Sequence, residues 1–348
     1  MLLHGKPECT GKDMPATITD VARVAGVGRG TVSRVLNNRP NVDPATRARV
    51  QDAIAALDFV PSAAARRLSL RRTQSIAVVT LHLTRPSVVE RLRGIEAGLV
   101  DAGLEMIVFN VETIERRDAL LRDVPRPERI DGMILISLAP HDAELAQIRR
   151  SGLPVVLIDA HHRGLPRVVC DDVGGGMLAA NHLLERGHRQ FGFIGDEPRP
   201  ILGVPSSRMR FRGAAVALRE HGLAMRPENV AEGEHTRQFA RELTETMLRG
   251  ADRPTAIIAA SDTMAIGVLE AARALDIDVP GELSVIGYDD VEAADFVGLT
   301  TIHQPLAETG ARAVDRMVGL ISGAPRVPLR EVLPVTLVMR RTTGPAPA

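Results

Sequence analysis

The sequence has no tryptophan, a single tyrosine, Tyr288, and two cysteines, Cys9 and Cys170. The thiols lie far apart, outside any C-x-x-C pair or Cys/His cluster, so neither a disulfide framework nor a structural zinc site finds its residues. Long apolar runs are missing too. The stretch from Gln74 to Leu83 falls well short of the roughly 18 residues that mark a membrane-spanning helix. No G-x-S-x-G, H-E-x-x-H or G-x-x-x-x-G-K-[ST] pattern is present. His161 and His162 are chain neighbours and His182 and His188 are six apart, spacings that do not suit a metal. An enzyme or a metalloprotein therefore has no named nucleophile, base or ligand set, and no cofactor is expected. Residues 1–15 lack the apolar core of a secretory signal. They read as a disordered tail, with Met14 as an alternative start, and the expected compartment is the cytoplasm. Net charge is absent as well, with 43 Lys/Arg against 43 Asp/Glu.

What is present is an apolar content of 45% over 348 residues, enough for two or three compact domains. The charge is balanced only in total. Residues 1–73 carry twelve Lys/Arg against six Asp/Glu, a net of +6, which leaves the remainder at −6. A basic N-terminal fifth on an acidic body is the asymmetry expected where one end meets phosphates.

The basic end has a helical pattern. Ile18, Val21, Ala22 and Ala25 form one apolar stripe with Thr17 placed to cap it. Gly26-Val27-Gly28 breaks that helix, and a second runs from Arg29 to Leu36 with Val32, Val35 and Leu36 inward. Asn37-Asn38-Arg39-Pro40 stops it. Asp43-Pro44 opens a third helix whose inward residues are Val50, Ala53, Ile54 and Leu57. Two short helices joined by a glycine-containing turn and braced by a third make a helix-turn-helix unit. Its second helix exposes Arg29, Gly30, Ser33, Arg34 and Asn37, a face that fits the major groove. Gly26-x-Gly28-x-Gly30 imitates part of a dinucleotide fingerprint, but it follows a helix and its third glycine is misplaced. After Pro61, the alanine-rich Ser62–Leu68 reads as a linker that is coil when free and helical against a partner.

The run ATITDVARVAGVGRGTVSRVLNNRPNVDPATRARVQDAIAALDFVPSAAARRL resembles the DNA-binding head and hinge of the lactose-repressor/galactose-repressor family, nearly without gaps over about fifty residues. The resemblance implies that Arg29 and Gly30 stand where two recognition positions read bases. It places Arg34 at a further DNA contact, and Thr17, Ser33 and Asn37 near phosphates. Thr31 completes the face. Ala65 and Leu68 match hinge residues that enter the minor groove, Leu68 as the wedge at a central base step. Gly28 replaces the family's usual serine, and Gly30 offers no side chain for reading.

From Gln74 onward, strand-like and helical segments alternate. Expected strands are Ser75–Leu81, Glu105–Phe109, Gly132–Ile136, Val155–Ile158, Phe191–Ile194, Ala256–Ala259 and Ser284–Tyr288, with helices such as Val88–Ala102, Gly176–Arg186, Ser207–Glu220 and Met264–Ala274 between them. Alternation of this kind predicts parallel α/β units in two doubly wound halves, with a ligand beyond the carboxyl ends of the strands. Asp159, Ser261-Asp262 and Asp289-Asp290 follow strands, and Arg208 and Arg210 open a helix. Asp262 reads as a helix cap and Asp290 as a turn residue.

HLLERGHRQFGFIGD, SDTMAIGVLEAARALDIDVPGELSVIGYDD and LTTIHQP carry the family resemblance through this region. It implies a sensor of the periplasmic-binding-protein-like type I fold, crossed three times by the chain near residues 171, 304 and 334. Asp159, Arg210, Ser261, Asp289 and Gln304 match effector-contacting positions. Where sugar-binding members carry an Asn-Pro-Phe-Phe-like run, this chain has Arg85-Pro86-Ser87-Val88-Val89, and His235 stands near the place of a stacking tryptophan in some relatives. The effector expected is a sugar or a more polar metabolite.

The organisation expected is thus a tail over 1–15, a helix-turn-helix domain over 16–60, a hinge helix and linker over 61–73, and an effector-binding and dimerisation domain over 74–348. The function expected is a DNA-binding transcription regulator, acting as a homodimer on palindromic operator DNA. Thr342–Ala348 has no heptad, so a dimer rather than a tetramer is expected. A solute-binding protein of a transport system is the alternative, which accounts for the body but not the head.

Overall fold

The computed structural model describes residues 16–36, 39–59, 72–197, 206–250, 252–324 and 328–347. The expectations at Asn37, Ala65 and Leu68, and those for the tail and most of the hinge, lie outside these residues. The chain divides into two compact units, Met1–Thr73 and Gln74–Ala348.

The first unit contains α1 (Ile18–Ala25), α2 (Arg29–Leu36) and α3 (Pro44–Ala56). Thr17 and Asp20 form a reciprocal capping box at the start of α1, and Gly26 ends it at φ 63°, a left-handed conformation that suits glycine. Asp43 caps α3, with Pro44 in the first turn. Each such cap contributes about 1 kcal/mol, a useful share for a unit this small. Its core is short: Val21, Val32 and Val50 are fully buried, Ala22, Ala25, Val35 and Ala53 nearly so, and Ile18, Leu36, Ile54 and Leu57 pack around them.

The second unit begins with β1 (Ser75–Leu81), α4 (Pro86–Asp101), β2 (Glu105–Val111), α5 (Ile114–Asp123), β3 (Gly132–Ile136), α6 (Asp142–Arg150), β4 (Val155–Ile158) and β5 (Arg167–Cys170). It crosses to a second half through α7 (Asp172–Glu185). There follow β6 (Phe191–Asp196), α8 (Ser206–Glu220), β7 (Val230–Gly233), α9 (Arg237–Leu248), β8 (Ala256–Ala259), α10 (Asp262–Ala274), β9 (Ser284–Asp289), α11 (Glu292–Val297) and β10 (Thr300–His303). The last crossings are α12 (Leu306–Ser322) into β11 (Arg330–Leu333) of the first sheet, then β12 (Thr336–Val338) of the second. The chain changes sheet after Cys170, His303 and Leu333, where the three crossings were expected.

Both sheets have six strands in one pattern, β11-β5-β4-β3-β1-β2 and β12-β10-β9-β8-β6-β7, and only the β12 pairing is antiparallel. Every residue of β1, β3, β4 and β8 is buried, as expected of parallel strands covered on both faces. Strand order turns back between β1 and β3 and again between β6 and β8, so each half has a switch point whose crevice faces the carboxyl ends of its strands. At the two helical crossings, α7 and α12, a glycine pair lets two helices meet. A Cβ on Gly94 would lie 1.8 Å from the carbonyl oxygen of Ala307, and one on Gly176 2.0 Å from that of Arg210.

Residues 340–346 run beside β9 and close the second half. Thr342 exchanges hydrogen bonds with Val285, and Gly344 N–H donates to Ser284 Oγ at 3.0 Å. His188 is fully buried among Thr255, Ser284 and the Gly344 carbonyl, and His182 meets Thr343 Oγ1 at 2.9 Å. These histidines are structural. Burial, with Arg186 beside it, lowers His182 to about 4, and burial lowers His188 in the same direction. A folded-state value below the unfolded one means that the unfolded chain takes up protons first. Stability should therefore be full above about pH 6.5 and fall as the pH drops toward 4, by on the order of 3 kcal/mol from His182. Urea unfolding of wild type and His182→Gln across this window checks it; a variant with the same acid sensitivity as wild type would reassign the effect.

Candidate functional site

The head presents one cationic face. Arg29, Gly30 and Arg34 on α2 are exposed, Thr31 and Ser33 are half-buried beside them, and Thr17 is exposed at the start of α1. Among the described residues Arg29 and Arg34 form no ion pair, so both guanidinium groups are free to meet phosphates or base edges. A Cβ built on Gly30 meets nothing within 4 Å, so the missing side chain leaves open space.

The larger unit holds a cavity of about 710 Å³ at the carboxyl ends of both sheets. Its walls come from the ends of β1, β3 and β4 in the first half and from β6, α8, the loop after β7 and β9 in the second. His82, Ser137, Asp159 and Asp289 line it with φ of 49°, 56°, 52° and 114°. Left-handed backbone at non-glycine residues costs energy, and here it recurs where strands release the chain into the cavity.

Asp159, Arg210 and Asp289 all reach this cavity. The Asp159 carboxylate accepts from Ser137 Oγ at 3.1 Å and Arg91 Nη2 at 3.4 Å, and across the cleft from Ser206 Oγ at 3.2 Å. Arg210 is clamped. Its Nε donates to Asp172 at 2.8 Å, its Nη1 to the Ala260 carbonyl at 2.5 Å, and its guanidinium lies 3.8 Å over the Tyr288 ring. Burial works against this cation, but Asp172 and Asp289 outweigh it and raise its pKa well above the ordinary value. Burial likewise raises Asp289, and raises Asp172 to about 6, against the pull of Arg210.

Ser261 and Gln304 do not line the cavity. Gln304, 2% exposed, donates to Asp289 Oδ1 at 2.6 Å and holds that carboxylate from behind. Ser261 caps α10, accepting from Met264 N–H at 3.2 Å. The cap expected at Asp262 is therefore one residue earlier. Asp262 turns inward to accept from Val291 N–H and Thr301 Oγ1, and burial pushes it up to about 8. Asp290, expected in a turn, pairs with Arg340 at 2.8 Å and His303 at 3.0 Å.

The structure also assembles groups that the chain order hides. His235 Nδ1 lies 2.5 Å from Asp196 Oδ1, and its Nε2 lies 3.3 Å from Ser261 Oγ. Burial works against the Asp196 carboxylate, but the His235 hydrogen bond and the charges of His235, Arg85 and Arg210 together hold it below the usual carboxylate range. This order of atoms imitates a Ser–His–Asp relay, but Ser261 is fully buried and its oxygen serves the helix cap, so no substrate carbon can reach it. Cys170 is buried and pushed up to about 12, an inert thiol. Arg91, His82 and Asp172 were missed by sequence reasoning, and Arg85 was read only as part of the run that replaces an aromatic one. A signal for Arg91 existed: Arg91-Leu-Arg-Gly-Ile-Glu-Ala-Gly-Leu99 repeats in outline as Arg210-Phe-Arg-Gly-Ala-Ala-Val-Ala-Leu218.

Comparison with known proteins adds independent findings. The model of bacterial regulatory proteins, lacI family, matches residues 17–62, and that of the periplasmic binding protein-like domain matches residues 180–343. The chain is similar to the ribose operon repressor of Escherichia coli (strain K12), 33% identical over 312 residues that cover 88% of this chain and 93% of that protein. In three dimensions it is similar to the Lac repressor dimer bound to operator and the anti-inducer ONPF, with a TM-score of 0.83 and 28% identity over 95% of this chain and 100% of that one. It is also similar to the transcriptional regulator CelR in complex with cellobiose, with a TM-score of 0.70 and 29% identity over 94% of this chain and 99% of that one. Among the described residues, no helix is long and apolar enough to cross a membrane.

Proposed function

This chain belongs to the bacterial lacI family of regulatory proteins, and on that premise we propose that it is a dimeric repressor whose hold on a palindromic operator is set by a small molecule in the cavity of its larger unit. That it is a DNA-binding transcriptional regulator with an effector-binding domain follows from the membership itself. The observation that carries the rest is the pairing of two features in one chain. One is a helix-turn-helix whose second helix bears two arginines without an ion pair among the described residues, and the other is a polar cavity walled by both halves of a doubly wound domain.

In this reading α2 enters the major groove, Arg29 reaches a base edge, and Arg34, Thr31, Ser33 and Thr17 meet the backbone and flanking positions. Asn37, Ala65 and Leu68 extend the same interface. Two heads address half-sites about one helical turn apart. The effector touches Asp159, Arg210 and Asp289, with Ser261 and Gln304 positioning His235 and Asp289, and a change in the angle between the halves alters the fit of the heads to DNA. The protein works in the cytoplasm, where its operator is, and performs no chemistry on its ligand. A transport role leaves the cationic head without use.

The test is a gel shift of the purified chain on DNA from its own upstream region, read against an unrelated fragment. Specific retention that weakens steeply with salt is expected, because each phosphate contact releases counterions. Equal affinity for both fragments would remove the regulator assignment.

A further inference from the structure

The two walls of the cavity are built on the repeated segment, and they differ in charge. Arg91 and Arg210 hold the same place after the first strand of their halves, and each leans toward an aspartate at the end of that half's β4 or β9. Arg91 Nη2 lies 3.4 Å from Asp159 Oδ2, and Arg210 Nη1 lies 3.6 Å from Asp289 Oδ1. The crossover helix against each segment decides what else the arginine meets. α7 opens with Asp172, which takes Arg210 Nε, whereas α12 opens with Leu306. Arg91 is 3% exposed, its Nε is buried without a partner, its Nη1 donates to the Ser87 carbonyl at 3.3 Å, and among the described residues Asp159 is its one, long, ion pair.

Arg85 adds a second cation to the same wall. It lines the cavity half-buried, forms no ion pair with any described residue, and precedes α4, whose N-terminal Ser87 and Val88 also face the cavity. Burial lowers its pKa, with Asp196 and Asp289 across the cleft opposing the shift from a distance. The deep carboxylates are already engaged: Asp159 by Arg91, Ser137 and Ser206, Asp196 by His235, and Asp289 by Gln304 and Arg210. Four more, Glu112, Glu115, Glu197 and Glu234, stand exposed at the rim, where water and salt screen them. In the first half Arg85 and Arg91 thus face the single acid Asp159, whereas in the second Asp172, Asp196 and Asp289 outnumber Arg210, so the positive wall is that of the first half. No Phe, Tyr or Trp is among the described lining residues, so a sugar ring finds no face to stack on.

We propose that the effector is a small polyhydroxylated acid, its carboxylate or phosphate held by Arg85 and Arg91 in the first half and its hydroxyls donating to Asp289 and Asp196 in the second. The proposal rests on the regulator reading only in taking this cavity as the effector site. An acid group completes the coordination that Asp172 supplies to Arg210, and it relieves the desolvated charge of Arg85.

Calorimetric titration of the full chain tests it with two compound sets, glucose, gluconate and glucose 6-phosphate, and ribose, ribonate and ribose 5-phosphate. Wild type, Arg85→Gln and Arg85→Lys are compared, with thermal melting to check that each variant is folded. Wild type should bind one acid at least about tenfold more tightly than its neutral parent, and the acid that binds tells carboxylate from phosphate. Arg85→Gln should lose about 10- to 100-fold for that acid, and Arg85→Lys should recover part of it. A neutral sugar that binds as tightly as its acids, the failure of every acid at millimolar concentration, or an unchanged Arg85→Gln overturns the proposal. The regulator reading fails separately, by the absence of operator retention in the gel shift.

Discussion

Replacing Arg210 with alanine should lower the unfolding free energy by about 3–5 kcal/mol and abolish effector binding, because the loss leaves a buried acid cluster without its cation. Arg210 touches Asp172, the Ala260 carbonyl, Asp289 and the Tyr288 ring at once. Asp172, already raised to about 6 by burial, and Asp289, raised in the same direction, would rise further and take up protons. The sign distinguishes this from lost packing. A carboxyl whose folded pKa exceeds its unfolded value of about 3.9 destabilises at neutral pH, and the penalty fades as pH falls through the folded value. The gap between wild type and Arg210→Ala should therefore narrow from pH 7 to pH 5, although both lose stability there through His182. Paired denaturant titrations at the two pH values measure it. A deficit below about 1 kcal/mol at neutral pH, or one independent of pH, would show that Arg210 acts through volume alone.

Arg29→Ala should weaken specific operator binding by about 1–3 kcal/mol per half-site, hence about 2–6 kcal/mol for a dimer on both. Arg29 is exposed and unpaired at the start of α2, and its neighbour Gly30 contributes no side chain at the adjacent reading position, so nothing beside it shares the work. A guanidinium forked onto guanine O6 and N7 specifies that base, and its loss should relax selection at that one position. A guanidinium on phosphate would instead weaken all sequences alike and make the salt dependence shallower by about one per contact. Selection from randomised half-sites with both proteins separates the outcomes. An unchanged sequence preference with lower affinity would make Arg29 an anchor and not a reader. Head stability should not confuse the result, since Arg29 holds no partner among the described residues and the core of Val21, Val32 and Val50 lies on the other face.

The chain order alone determined the head and the plan of the body. Helix periodicity, a Thr17 cap and an Asp-Pro start are local features, written within a few residues and formed as written. Seven strands could be read, all but β2 largely buried, because they are apolar runs between turn signals. Arg167–Cys170, Val230–Gly233, Thr300–His303, Arg330–Leu333 and Thr336–Val338 could not, since charged, polar or glycine residues interrupt these runs of three or four and they become strands only by pairing with a neighbour. Asp159, Arg210 and Asp289 were legible as polar groups at the ends of strands and the opening of a helix. Whether such a group faces the cavity or the wall behind it was decided by tertiary structure, which turned Ser261 and Gln304 away from the cavity and brought in Arg85, Arg91 and Asp172. Charge balance at a site depends on distance in space. Asp172 and Arg210 are 38 residues apart and Arg91 and Asp159 are 68, and only the crossing of the chain between two sheets sets one arginine beside two acids and leaves the other with one.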